Sequence, residues 1–277
     1  GDGLPSRVRA LSEHDGGLYA GGDFAEVVAF WEDPDWLPLG ALPVTAGGLL
    51  QAMISFGGSL WICGEWPLLH GGTAVVFRWD GAAWYDQSPA GWLGQVCDFA
   101  VADTDGTGNR LFAVGSNSVA NPFLVWTGAA WAALGTILNP TADVNARLVR
   151  WPRGSFANDR LIGIGHFQIG ADSYEVVEWN GTAWIGIGTL QVFGQALSAW
   201  ASGSVYVGGD YDLIESVPVG NGTDAVKIAR YRPNAWSVLP RGGLNSQVLD
   251  IVAPRYEEDP GASGRSVMPV VVSTPSV

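Results

Sequence analysis

The chain is short of basic charge. Its 277 residues include 14 Lys or Arg against 27 Asp or Glu, for a net charge of −13, and Lys227 is the sole lysine. Proteins that bind polyanions cluster Lys and Arg so as to release counterions from phosphates. No such run exists here, so neither nucleic acid nor an anionic membrane surface is an expected partner. No apolar stretch reaches the roughly 18 residues of a membrane-spanning helix. Two cysteines, Cys63 and Cys97, cannot make a disulfide framework; one bridge or two separate buried thiols both remain open. The three histidines, His14, His70 and His166, lack ligand spacing, which argues against zinc. No Gly-x-Ser-x-Gly elbow or phosphate loop occurs, and no cofactor is implied. The chain opens Gly1-Asp2 with neither Met nor a basic-then-apolar leader, and so reads as processed or truncated.

Glycine and tryptophan are abundant, at 39 and 14 residues. Hydrophobic residues reach 47%, enough for a sizeable core, while charged residues stop at 15%. This composition excludes disorder, collagen and a coiled coil.

An internal repeat organises the chain. Trp79-Asp80-Gly81-Ala82-Ala83-Trp84 returns as Trp126-Thr127-Gly128-Ala129-Ala130-Trp131 and as Trp179-Asn180-Gly181-Thr182-Ala183-Trp184. Looser copies are Trp31-Glu32-Asp33-Pro34-Asp35-Trp36 and Tyr231-Arg232-Pro233-Asn234-Ala235-Trp236. Asp-Gly and Asn-Gly favour tight hairpins, so each copy predicts two antiparallel strands. The second aromatic falls at positions 36, 84, 131, 184 and 236, a period of about 50. Upstream of each pair lies another recurring element, Leu18-Tyr19-Ala20-Gly21-Gly22-Asp23 in the first copy and Val205-Tyr206-Val207-Gly208-Gly209-Asp210 in the last. A short apolar stretch precedes each of these, which makes four strands per unit.

Four strands every ~50 residues is the blade of a β-propeller. The arrangement resembles kelch-like propeller repeats, and most closely the Trp-Asp-Gly…Trp repeats of bacterial secreted or surface proteins. The Gly-Gly doublet and the aromatic pair around the turn carry the resemblance, over residues about 7 to 253. The doublet is intact in two of the five copies. The expected fold is all-β, one propeller domain over 1–277, with blades at about 7–40, 50–88, 96–135, 146–188 and 196–240. A partial sixth blade follows at 247–273. Its outer strands could belong to a longer chain, be absent altogether, or come from another chain, since an open edge invites pairing. A five-bladed ring with an extra C-terminal hairpin is the alternative.

The ten repeat aromatics are expected to fill the space between blades. Candidate ligand residues lie elsewhere. Asp23, Glu65, His166 and Asp210 follow the second strand of their blades at equivalent positions, beside Trp66 and Tyr211. They stand on the face that gathers the long loops, where insertions mark a binding side. Carboxylates there could hold a cation or a sugar, or simply satisfy strand-end amides. Few bases sit on that face, Arg241 among them, which disfavours an anionic ligand. Asp103 and Asp105, within Asp103-Thr104-Asp105-Gly106, resemble the start of a calcium loop, but the terminal Glu of that motif is missing.

The expected function is a non-enzymatic module of an extracellular, periplasmic or cell-surface assembly, engaging a protein partner. A lectin propeller that binds a glycan is the first alternative. A glycosidase or lyase with acids at the channel mouth is the second.

Overall fold

The computed structural model describes residues 3–44, 48–68, 73–92, 94–116, 121–138, 146–152, 157–189, 196–200, 204–208, 213–214, 217–218, 228–232, 235–238, 248–252 and 270–273. The first sheet comprises β1 (Val8–His14), β2 (Gly17–Gly22), β3 (Val28–Glu32) and β4 (Asp35–Pro38). The second comprises β5 (Leu49–Phe56), β6 (Ser59–Pro67), β7 (Thr73–Trp79) and β8 (Trp84–Asp86). The third has β9 (Val96–Ala102), β10 (Arg110–Gly115), β11 (Phe123–Trp126) and β12 (Trp131–Ala133). The fourth has β13 (Arg147–Trp151), β14 (Arg160–Ile169), β15 (Asp172–Trp179) and β16 (Trp184–Gly188). The fifth runs β17 (Ala196–Trp200) and β18 (Ser204–Gly208), then a small ribbon of β19 (Leu213–Ile214) and β20 (Val217–Pro218). It closes with β21 (Ile228–Arg232) and β22 (Ala235–Val238). A last pair is β23 (Val248–Val252) and β24 (Val270–Ser273).

Within each four-stranded sheet the strands lie side by side in chain order. The fold is therefore all-β, with five four-stranded antiparallel propeller blades and a partial sixth represented by β23 and β24. The chain groups into two compact units, Gly1–Ala102 with Asn109–Leu148, and Asp103–Gly108 with Val149–Val277. In the first unit β1 packs beside β5 and β5 beside β9; in the second β17 packs beside β23. First strands thus neighbour first strands, as in successive blades.

The repeat motif has a common geometry. Asp80 Oδ1 accepts the amides of Ala82 and Ala83, and Asn180 Oδ1 accepts those of Thr182 and Ala183. Thr127 Oγ1 accepts the Ala130 amide in the same place. The next residue is Gly81, Gly128 or Gly181, at φ of 100°, 95° and 102°, a region that side chains disfavour. These local bonds fix the hairpin register in three blades, and the flanking aromatics face each other directly in all five. Their ring centroids lie 5.4 Å apart for Trp31–Trp36, Trp79–Trp84 and Trp126–Trp131. The separation is 5.6 Å for Trp179–Trp184 and 4.9 Å for Tyr231–Trp236.

The second aromatic also ties its blade to the previous one. Trp84 Nε1 donates to the Leu39 carbonyl at 2.9 Å, Trp131 Nε1 to Gln87 at 2.7 Å, and Trp236 Nε1 to Ile187 at 2.5 Å. Each acceptor stands three positions after the outer Trp of the preceding blade. Trp84→Phe keeps the apolar body but leaves the Leu39 carbonyl without its donor, at an expected cost of about 1–3 kcal/mol. Trp31→Phe, at an exposed ring, should stay within about 0.5 kcal/mol. Urea unfolding of the two variants checks the contrast.

Glycine at the end of the second strand answers to a bulge in the first strand. The β1–β2 register skips between Val8 and Ala10, leaving Arg9 as the extra residue, and the β5–β6 register skips at Gln51 in the same way. A Cβ on Gly22 would sit 2.1 Å from the Arg7 carbonyl oxygen. On Gly64 it would sit 1.9 Å from that of Leu49, and on Gly115 2.4 Å from that of Gln95. The Asp23 and Ser116 amides donate to the Arg7 and Gln95 carbonyls. The second glycine of the doublet is the constrained one, and glycine stands at that position, 22, 64, 115, 165 and 209, in every copy.

Candidate binding groove and exposed sheet face

The bulge in β1 turns Arg9 toward Asp23, just past the end of β2. Arg9 donates from Nε to Asp23 Oδ1 at 2.5 Å and from Nη2 to Oδ2 at 3.0 Å, a two-pronged pair. That bond, more than any other contact, holds the Asp23 carboxyl below its ordinary value. A base therefore does stand on the side where few were expected. Arg241, the one named from the sequence, lies outside the described residues.

Glu65 occupies the matching place in the second blade, where the β6–β7 register shifts between Cys63 and Trp66. Gln95 Nε2 donates to Glu65 Oε2 at 2.5 Å, and Gln51 Nε2 donates to Gln95 Oε1 at 3.2 Å. His166 lies at the corresponding shift in the fourth blade, with Nδ1 3.0 Å from Glu175 Oε1. Asp210 and Tyr211 lie outside the described residues.

Asp23 and Trp66 come together on one groove of about 990 Å³, in the first unit, with Arg9, Glu26, Pro38 and Val27. Trp66 is fully buried and packs edge-on against Phe77, 5.6 Å away, so it supports the groove from beneath. Its Nε1 has no hydrogen-bond partner. Val27 holds φ of 62°, an outlier for a β-branched residue. The sequence reading missed Arg9, Gln51 and Gln95. The only signal for them was their place in or just before the first strand, where bulges occur.

Asp103 and Asp105 are occupied by their own turn. Asp103 Oδ1 accepts the Gly106 and Gly108 amides, and Asp105 Oδ1 accepts the Thr107 amide and hydroxyl. The buried Asp159 carboxylate receives the Asp103 amide at 3.0 Å and Arg150 Nε at 2.8 Å. Among the described residues no three His, Cys, Asp or Glu side chains gather as a metal-binding group. Cys63 and Cys97 are both buried and are not joined in a disulfide, and burial pushes the Cys63 thiol up.

A second surface stands out on the first blade. The pairing of β1 with β2 and of β2 with β3 places Val8, Leu11, Leu18 and Trp31 on one face of the sheet. Their exposures are 39%, 60%, 43% and 40%. Ala10, Tyr19 and Phe30 leave the other face and pack with Leu50, Met53 and Phe77 of the second blade. The first blade therefore packs one face on the second blade, while Val8, Leu11, Leu18 and Trp31 on the other are partly exposed, with Glu13 opposite Leu18 and Ala20 and Ala29 buried among them.

Comparison with solved structures finds the extracellular domain of a one-component system from B. thetaiotaomicron, at 9% identity and a TM-score of 0.52. It covers 92% of this chain and 31% of that one. The GH74 xyloglucanase from Xanthomonas campestris matches at 16% identity and a TM-score of 0.51, covering 87% of this chain and 39% of that one. The chain thus spans about a third of the length of these structures, and at such identities the likeness shows the fold alone. No family model matches the chain and no curated protein sequence does. Among the described residues no helix is long and apolar enough to cross a membrane.

Proposed function

We propose that the chain is a non-enzymatic, kelch-type propeller module that engages a protein partner in an extracellular, periplasmic or cell-surface assembly. The observation that carries this reading is the apolar row Val8, Leu11, Leu18 and Trp31 on the partly exposed face of the first blade. Contiguous exposed apolar surface marks protein contact when water otherwise covers it at a cost. The partner it suits is another apolar β-sheet, because Trp31 and its neighbours stand where a further blade would pack. The extracellular domain among the similar structures supports the location. The groove favours binding over acid catalysis. A general acid needs a pKa near the working pH, whereas Arg9 pulls Asp23 the other way.

Site-specific photo-crosslinking in native host cells tests the reading. A crosslinker in place of Leu11 should capture one discrete protein, and Trp31→Glu should abolish the adduct. A crosslinker in place of Tyr85, exposed on the second blade, serves as control. Equal adducts at both positions, or none at Leu11, would overturn it.

A further inference from the structure

Arginine supplies 13 of the 14 basic residues, and several of these form ion pairs. Arg9 meets Asp23, Arg150 meets Asp159 and Arg160 meets Glu178. Arg78 is different. The second blade aligns Ile54, Trp61, Arg78 and Tyr85 across four strands. The guanidinium carbon of Arg78 lies 5.9 Å from the Trp61 ring centroid and 5.8 Å from that of Tyr85. Two aromatic faces thus hold the cation in place. Its Nε is buried without a hydrogen-bond partner, and among the described residues Arg78 forms no ion pair. The nearest acid in sequence, Asp80, accepts the Ala82 and Ala83 amides on Oδ1 and interacts with Arg78 through charge without forming an ion pair.

Arg78 opens on a cavity of about 540 Å³, which Phe56, Ser59, Trp61, Arg110 and Trp126 also line, with the glycine turns at Gly57 and Gly128. This volume falls within the ~300–1,000 Å³ typical of small-ligand sites. The cavity lies wholly in the first unit and shares no residue with the groove at Asp23. Two arginines line this cavity in a chain with 27 acids, and among the described residues Arg78 forms no ion pair.

We propose that this cavity binds a small monocarboxylate with a polar body, of the sugar-acid class, with Arg78 gripping the carboxylate. The planar guanidinium fork matches the two oxygens of a carboxylate, and the aromatic clamp removes the entropy cost of aiming it. Ser59 and the backbone of the glycine turns supply partners for hydroxyl groups. The net charge of −13 repels extended polyanions, which selects a compact ligand with one charge. The site is independent of the partner surface on the first blade.

Isothermal titration of the intact chain with glucuronate and galacturonate tests this, with glucose, galactose, sulfate and phosphate as comparisons. Saturable 1:1 binding of at least one uronate, with none for the neutral sugars, is expected. Arg78→Met keeps an unbranched stem between the rings and should weaken binding at least tenfold, while Arg78→Lys should give an intermediate loss. In the wild-type protein, the indole N–H resonances of Trp61 and Trp126 should shift on adding uronate, and that of Trp236 should not. This second measurement needs no Arg78 variant to fold. Absence of uronate binding, equal binding of the neutral sugars, unchanged affinity in Arg78→Met, or sulfate binding as tightly as uronate would each overturn the proposal.

Discussion

Gly64→Ala is expected to destabilise the protein by about 3 kcal/mol or more, at the upper end of overpacking costs. The added methyl would lie 1.9 Å from the Leu49 carbonyl oxygen and 3.0 Å from the Trp66 ring. Neither neighbour can retreat. The carbonyl belongs to the bulged start of β5, whose register is pinned by pairing on both sides of Gln51, and Trp66 is fully buried. Gly57→Ala is the control. Gly57 has φ of 59° with open space around its Cβ position, so that variant should lose only the roughly 1–2 kcal/mol of a left-handed residue. Urea denaturation followed by tryptophan fluorescence separates the two. A Gly64→Ala midpoint equal to that of wild type would show that strand and bulge do not approach as described. Gly22→Ala and Gly115→Ala should follow Gly64→Ala, because their Cβ atoms meet the equivalent carbonyls.

Arg160→Met is expected to cost about 3–5 kcal/mol, the penalty for stranding one member of a buried ion pair. Arg160 donates to Glu178, whose side chain is only 2% exposed. Burial raises the Glu178 carboxyl above its ordinary value, and Arg160 opposes that shift through its charge and its hydrogen bond. Without Arg160, the folded state would hold a neutral Glu178 more readily than the unfolded chain does. The loss should therefore be small below the ordinary glutamate pKa and grow as pH rises through and above it. Arg160→Met combined with Glu178→Met should recover most of the stability at neutral pH, because no buried charge remains. Equilibrium unfolding at acid and neutral pH gives the answer; an Arg160→Met loss independent of pH would contradict the role assigned to Glu178.

Local chemistry made the blade hairpins legible. Asp80, Thr127 and Asn180 cap turns with bonds to residues two or three positions on, and Gly81, Gly128 and Gly181 take the positive φ those turns need. Such contacts involve neighbours in sequence, so their residue types repeat wherever the turn repeats. The glycine doublet was visible but its meaning was not. Gly21 would bring a Cβ against the movable Leu50 side chain, whereas Gly22 meets a fixed carbonyl across the bulge. A bulge is a property of two paired strands, and no single segment announces it.

The candidate residues divide along the same line. Asp23 and Glu65 stand out as acids after a second strand. Their partners Arg9 and Gln95 lie in or just before first strands, 14 and 30 positions away, and Gln51 in turn donates to Gln95. Trp66 reads as a ligand aromatic from its place beside Glu65, yet the register shift after Cys63 turns it into the core.

By itself the sequence determined the number of repeats, the strands within each and the ten aromatics at the outer turns, because hairpin chemistry is short-range. Only the tertiary structure decided which glycine is indispensable, which large apolar side chains of the first blade stay exposed and which arginine sits between two aromatic rings without an ion pair. Those properties depend on what packs across a sheet or from the next blade, at separations that residue order does not encode.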